Sequence, residues 1–451
     1  MTSVVRVTRR HRTRANVALV AGLLLAAAVT GCTGGSGTVV SPGSAVTGTA
    51  RSPGGSGTDT TASPTGSPAT TSPAGPTPTL STTPAPVTPD GMATGPGVTT
   101  STITLGVLVD PGLDRGFSAG VALWQHTVNA AGGLCGRMVQ LVAAGQQDVP
   151  ADLRSAYLAV GRRVLGLITL GTDQDQSALA GLAGGDGVPA LTPSGTSARL
   201  RERGPVVIGP TADILAINAL DYLVGQQLAR DGRIGVLTDG SPTAQDELAG
   251  LAWQAAQAGI RLEVHSADEE VAWENVVAVV SLAGPAATAR LLTDGQSGLT
   301  VMTTVDGFDP ALVPAADAPR LLVVTPTPAF DSDHPAVTAV ATAFQRGGGT
   351  DPGPRLLAGY ATGATWGRVL AGACADLALT RSGVDAALAA IGPAAVDGLL
   401  GPADPGLVVT KHLPATRLSA VAVADPGAPS GLRGLTWLQA AGDIGDYTPG
   451  G

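Results

Sequence analysis

Residues 103–109 read Ile103-Thr104-Leu105-Gly106-Val107-Leu108-Val109, a short, mostly apolar run typical of a buried β-strand. Pro111 and Gly112 end this run. Apolar residues then recur at helical spacing over 117–130, and a second strand is predicted over 138–143. A strand, a helix and another strand in this order predict the start of an α/β fold.

The same alternation continues to residue 303. Helices are predicted over 151–162, 174–183, 212–229, 244–258 and 286–292, and strands over 165–170, 189–192, 206–209, 234–238, 261–265, 276–282 and 299–303. Short apolar strands between longer helices predict parallel sheets covered on both faces. The folded region of about 350 residues is too long to pack around a single hydrophobic core, so two α/β lobes are expected.

Five stretches resemble those of one protein family in their order and approximate spacing. They are Asn129-Ala130-Ala131-Gly132-Gly133, the loop from Gly187 to Ser197, Gly209-Pro210-Thr211-Ala212-Asp213, Ala358-Gly359-Tyr360-Ala361 and Gly398-Leu399-Leu400-Gly401. The chain from 102 to 440 is similar to the branched-chain amino acid (Leu/Ile/Val) binding proteins. These are type I periplasmic binding proteins, the substrate-binding components of ABC transporters.

This resemblance implies two doubly wound parallel-sheet lobes joined by three crossovers, near 209–213, 325–329 and 399–406. The N-terminal lobe would comprise 101–209 plus 328–400, and the C-terminal lobe 210–327 plus 401–445. The ligand would lie in the cleft at the carboxyl ends of strands, where helix N-termini and free backbone amides face the opening.

In the N-terminal lobe, the resemblance places Ser194, Gly195 and Thr196 in the ligand-binding loop. Small hydroxyl residues with a glycine let backbone amides approach a carboxylate closely, although such a sequence also makes a plain turn. Thr172 and Asp173 stand where the family has a serine-rich loop. They are candidate ligand contacts or, equally, N-cap residues, and an acid there would repel a carboxylate.

In the C-terminal lobe, Asp306 matches the position from which the family presents an acid to the ligand's ammonium group. The alternative is a capping aspartate in an Asp-Gly turn. Thr243 is a candidate contact in a loop that lacks the family's usual tyrosine.

The N-terminus has the pattern of an export signal. Five arginines and no acid precede an apolar run over 17–29, which is too short to span a bilayer. The run leads to Val29-Thr30-Gly31-Cys32, which is similar to the lipobox of bacterial lipoproteins, so 1–31 is predicted to be a signal peptide and Cys32 the diacylglycerol attachment site. The alternative is an ordinary secreted protein in which Cys32 is incidental.

Residues 32–100 are rich in Ser, Thr, Pro and Gly and nearly free of charge. Such a segment buries too little apolar surface to offset the entropy of ordering, so a disordered linker is predicted. As a flexible coil it would span roughly 45 Å and hold the folded lobes away from the membrane.

If Cys32 carries lipid, Cys135 and Cys374 remain as an even pair in an oxidising compartment. The resemblance puts both on helices of one lobe, and a disulfide between them is therefore expected. The alternative is two buried free thiols.

The formal net charge is −9, and it becomes −14 when the five arginines of 1–31 are removed. This acidity argues against nucleic acid as a partner. The histidines are scattered, and neither a metal-binding spacing, a nucleophile elbow nor a P-loop occurs, so no metal, cofactor or enzymatic activity is expected.

The sequence thus predicts an extracytoplasmic, lipid-anchored protein that captures a small polar ligand, amino acid or amide-like, for an ABC permease. The alternative is a ligand-free or sensory interaction module of the same fold, which regulates envelope enzymes or a membrane receptor.

Overall fold

The computed structural model describes residues 91–143, 152–202, 204–229, 232–294, 298–391, 398–401 and 413–450. The predicted signal peptide, Cys32 and the linker as far as residue 90 lie outside these ranges, as do residues 402–406 of the third predicted crossover. Within the described residues, no helix combines the length and apolarity needed to cross a membrane.

The structure alternates short strands and helices. The strands are β1 (Ala93–Thr94), β2 (Thr102–Val109), β3 (Met138–Ala143), β4 (Gly166–Leu170), β5 (Ala190–Thr192), β6 (Val206–Val207), β7 (Arg233–Thr238), β8 (Arg261–Ser266), β9 (Ala278–Leu282), β10 (Thr300–Thr304), β11 (Leu321–Thr325), β12 (Ala378–Leu379), β13 (Ala420–Ala424) and β14 (Leu432–Gly434). The α-helices are α1 (Phe117–Ala130), α2 (Leu153–Val160), α3 (Asp173–Gly185), α4 (Ala212–Gly225), α5 (Pro242–Ala258), α6 (Pro285–Asp294), α7 (Pro335–Arg346), α8 (Leu356–Ala375) and α9 (Arg381–Ala390).

The first lobe is built on a five-stranded parallel sheet in the order β3-β2-β4-β5-β6. Successive strand residues point to opposite faces. Ile168 therefore packs with α1 and α8, whereas Leu167 packs with α2 and α3. Helices α7 and α9 complete the first of these two layers.

Helices α1 and α8 cross at glycines. A Cβ at Gly120 would overlap the carbonyl oxygen of Leu356, and a Cβ at Gly359 would overlap that of Phe117. The two backbones therefore lie close together, and Trp366 on α8 is fully buried with its indole nitrogen donating to the Leu167 carbonyl at 3.1 Å.

The second lobe is built on a seven-stranded sheet in the order β14-β13-β11-β10-β9-β7-β8. Helices α4 and α5 cover one face, and α6 with the loops that carry Trp273 and Phe308 covers the other. The predicted α/β class with parallel sheets is confirmed. One edge of the second sheet differs, because β13 pairs antiparallel with β11 and β14 pairs antiparallel with β13. The short turn between β13 and β14, closed by Asp425 and Gly431, can join only antiparallel neighbours.

The folded body begins earlier than the sequence indicates. The predicted disordered linker includes residues 91–100, but β1 pairs with β12 and Met92 is buried in the first-lobe core. A strand of two residues leaves no periodic pattern for a sequence reading to detect. The remaining predicted lobe boundaries stay a prediction.

Cys135, in the turn between α1 and β3, and Cys374, near the end of α8, are joined by a disulfide with a Cα–Cα distance of 6.3 Å. The bond ties two first-lobe segments that are 239 residues apart in the sequence. All described parts of the second lobe except β13, β14 and the C-terminal segment lie between them.

Candidate functional site

A cavity of about 410 Å³ lies between the two lobes. It is bordered by the carboxyl ends of β4 and β5 on the first lobe and of β7, β9 and β10 on the second. The structure brings all of the sequence-predicted ligand residues to its wall: Thr172, Asp173, Ser194, Gly195, Thr196, Thr243 and Asp306. Their roles toward a ligand stay a prediction.

Helix N-termini surround this cavity. Helices α3, α4, α5 and α6 each place a residue of the first turn in the lining. Free backbone amides at such ends favour the oxygens of a carboxylate or carbonyl. Thr172 is the N-cap of α3, accepting from the Asp175 amide at 3.2 Å.

Asp173 is compensated within the first lobe. Its carboxylate accepts from the Thr196 hydroxyl at 2.6 Å and lies 3.2 Å from Nε of Arg199, which is buried. The repulsion of a ligand carboxylate that the sequence predicts for Asp173 is therefore offset by an adjacent cation.

Asp306 forms a salt bridge across the cleft. Its carboxylate accepts from Nη2 of Arg355, which stands at the start of α8 in the first lobe and is only 2% exposed. A second contact runs beside it, because Arg115 of the first lobe donates to the Phe308 carbonyl and lies 3.9 Å from Asp309. These contacts hold the lobes together at the cleft.

Glu247, on α5, is the most deeply buried acid of the cavity wall, with 4% of its surface exposed. The Thr304 hydroxyl donates to it at 2.9 Å, and none of the described residues forms an ion pair with it. Burial raises the pKa of this carboxyl well above its ordinary value, and Asp306 raises it further. Burial therefore favours the protonated form of Glu247.

Gln176, on α3, contributes an unused donor to the opposite wall. The side chain is 2% exposed, and its oxygen faces the Thr169 hydroxyl at 3.3 Å. Its Nε2 has no hydrogen-bond partner among the described residues. A buried amide N–H without a partner is costly, so an acceptor from a ligand would stabilise this group.

Four residues of the site carry no local signal in the sequence: Glu247, Gln176, Arg199 and Arg355. Glu247 follows Gln245 and Asp246 in a polar stretch near the start of a helix, and nothing local shows that it points inward. The described residues contain no group of three or more His, Cys, Asp or Glu side chains placed to hold a metal ion.

A separate pair of carboxyl groups lies at the first crossover between the lobes, where β6 leads into α4. Asp213, fully buried on α4, accepts from the hydroxyls of Thr211 and Tyr447. Asp246, on α5, accepts from the backbone amide of Ser197 at 2.8 Å and from the Ser197 hydroxyl. Burial, followed by the charge of Asp213, raises the pKa of Asp246 to about 6.

Two α/β lobes with a ligand-sized cavity at the carboxyl ends of their strands define the class of type I solute-binding proteins. The chain belongs to the periplasmic binding protein family, whose model matches residues 109–424. Members of this family bind ligands and are not enzymes, and membership implies a location outside the cytoplasm. The family predicted from the sequence is confirmed.

Solved structures support the assignment. A fatty acid ABC transporter substrate-binding protein from Thermomonospora curvata is 25% identical, with a TM-score of 0.71, over 81% of this chain and 99% of that one. An ABC transporter substrate-binding protein from Desulfitobacterium hafniense in complex with Leu is 18% identical, with a TM-score of 0.60, over 74% and 100%. A possible leucine/isoleucine/valine-binding protein from Rhodopirellula baltica SH 1 is 16% identical, with a TM-score of 0.58, over 75% and 97%. A comparison with curated protein sequences finds no match.

Proposed function

We propose that the protein is the lipid-anchored substrate-binding component of an ABC importer and captures a small amino acid or amide-like ligand between its lobes. The observation that carries this proposal is the interlobe cavity, where residues of both lobes predicted from the sequence come together. A ligand that touches both walls would stabilise the closed form, and a permease would recognise that form.

The two walls differ in a way that suits such a ligand. The first lobe offers the amides of the loop at Ser194–Thr196, the helix α3 terminus and the free Nε2 of Gln176. The second lobe contributes three acids to the lining, Asp239, Glu247 and Asp306. Donors on one side and acids on the other fit a molecule with an acceptor at one end and an amino group at the other.

The ligand proposal is tested by thermal unfolding of the mature chain with the standard amino acids, their amides and a series of fatty acids. A ligand at ten times its Kd should stabilise the protein by about 1.4 kcal/mol and raise the Tm. Ser194→Trp, which fills the cavity, should abolish this shift, whereas Ser382→Trp on the exposed side of α9 should retain it.

One observation favours the alternative of a ligand-free interaction module. Asp173 and Asp306 already have arginine partners, so part of the cavity wall is satisfied without a ligand. If no probe in the series shifts the Tm of the unchanged protein, this alternative replaces the importer.

We also propose that Cys32 carries a diacylglycerol, whose two acyl chains suffice for stable anchoring. Cys32→Ser in the full-length precursor should move the protein from the membrane fraction to the soluble extracytoplasmic fraction. Fractionation with immunodetection measures this distribution. Unchanged membrane association of the variant would contradict the lipid anchor.

A further inference from the structure

We infer that Glu247, and not Asp306, receives a positively charged nitrogen of the ligand, so that the cleft selects molecules that carry an ammonium group. This inference rests on the proposed function, because it concerns the same cavity. It assigns the role expected at Asp306 to a residue on a different element of the second lobe.

Asp306 is already engaged. Its carboxylate bonds a guanidinium that is itself buried, and 39% of its side chain remains exposed to solvent. A ligand ammonium at Asp306 would have to compete with Arg355 and with water. Breaking that contact would leave the charge of Arg355 buried and unpaired, which is strongly unfavourable.

The other acids of the cavity are also occupied. Asp173 has Arg199 and the Thr196 hydroxyl. Asp239 accepts from the Ser241 amide at 2.9 Å and from the Gly284 amide at 3.3 Å, and so closes the turns that precede α5 and α6.

Glu247 has the opposite surroundings. It lines the cavity, is almost fully buried, and is hydrogen-bonded only by Thr304 among the described residues. The neighbouring charges that raise its pKa are those of acids: Asp306 after β10, Asp246 on its own helix and Asp239 after β7. A cation placed beside Glu247 would be attracted by all of these groups, whereas an anion would be repelled.

Binding of the cation would have a measurable consequence. Before a ligand binds, burial and Asp306 raise the pKa of Glu247 and so favour its protonated form. An adjacent ammonium favours the carboxylate form, so the proton leaves Glu247 for the solvent as the ligand binds. Binding should therefore release up to one proton per bound ligand.

The first-lobe wall fixes the other end of the ligand. Nε2 of Gln176 is a buried donor without a partner in the described part of the chain, and an acceptor such as a carboxylate or amide oxygen would satisfy it. The rest of the lining includes Leu113, Leu170, Leu215 and Leu282, which suit an apolar body between the two polar ends.

The test compares three matched probes on the mature protein by titration calorimetry at pH 7: leucine, 3-methylbutylamine, which lacks the carboxylate, and 4-methylpentanoate, which lacks the amino group. The corresponding sets for other amino acids and a series of fatty acids are included. Buffers of low and high ionisation enthalpy report the number of protons released. Ammonium-bearing probes should bind with proton release, and the matched acid should bind about 30-fold more weakly or worse.

Glu247→Gln should weaken the ammonium-bearing probe by about 30-fold and abolish the proton release. The amide oxygen can still accept from Thr304, so the Tm of the unliganded protein should change little. Glu270→Gln, which removes a charge from an exposed site, is the matched control and should bind like the unchanged protein.

Two results would overturn the inference while leaving the proposed function in place. One is binding of a fatty acid without any amine and without proton release. The other is loss of amine binding in Asp306→Asn together with normal binding in Glu247→Gln. If no probe of any kind binds, the proposed function itself fails.

Discussion

Replacing Cys135 and Cys374 together with serine should lower the free energy of unfolding by about 4 kcal/mol. The bond closes a loop with a sequence separation of 239 residues. In the chain-entropy model, the constraint on the unfolded chain grows with loop length and approaches about 5 kcal/mol for a loop of this size. The lower figure allows for structure that remains in the unfolded state.

Denaturant unfolding of the unchanged and doubly substituted proteins measures this difference. A reducing agent provides the control, because it should lower the stability of the unchanged protein to that of the variant and leave the variant unaffected. Equal stability of the oxidised protein and the variant would show that the bond contributes nothing to the folded state.

The bond also lies at a close helix pair. It joins the turn after α1 to the end of α8, and the N-terminal parts of these two helices meet at Gly120 and Gly359. Reduction would therefore release the C-terminal ends of this helix pair, which includes the buried Trp366.

The sequence predicted the elements of both lobes well where the signal is local. The helix bounds 117–130 and the strand bounds 138–143 agree with α1 and β3, because apolar periodicity and glycine stops act over a few residues. The antiparallel edge and β1 could not be predicted in the same way. β1 depends on β12, and the antiparallel pairing of β13 depends on β11; each partner lies far away in the sequence.

In the candidate site, too, residues with a local sequence signal are predicted and residues that depend on the tertiary fold are not. Thr172, Thr196 and Asp306 are predicted from the sequence because they follow strands at positions that resemble the family's ligand loops, and the carboxyl ends of strands meet at the cleft. The arginine partners of Asp173 and Asp306 are not predicted, because Arg199 and Arg355 are brought to the site only by the tertiary fold. Asp173 is an example. The sequence indicates an acid without a neighbouring cation, whereas in the structure Arg199 lies beside it.

Between about pH 3 and pH 7, the free energy of unfolding should fall by about 3 kcal/mol as the pH rises, because of Asp246 alone. In the folded protein the pKa of this carboxyl is raised from 3.8 to about 6 by burial and by Asp213. The folded state therefore binds more protons than the unfolded state within this window. Stability that depends on the bound proton is present below pH 4 and is lost as the pH passes through 6.

Other buried acids also lower the free energy of unfolding as the pH rises. Burial raises the pKa values of Asp213 and Glu247 as well, so the total fall should exceed the contribution of Asp246. A single substitution separates the contributions. Asp246→Asn removes the titrating group and retains an oxygen for the Ser197 and Asp213 amides, which approach the same carboxylate oxygen at 2.8 and 3.2 Å.

The variant should therefore be more stable than the unchanged protein at pH 7.5, and the fall between pH 3 and pH 7 should be smaller by about 3 kcal/mol. Urea unfolding at a series of pH values measures both quantities. Asp268→Asn, at an exposed position of the second lobe, is the matched control and should leave the pH dependence unchanged. An equally steep fall in Asp246→Asn would mean that Asp246 is already ionised at pH 4. In that case the backbone amides of Ser197 and Asp213 would stabilise the ionised form of Asp246. Their effect would exceed the opposing effects of burial and of the Asp213 carboxylate.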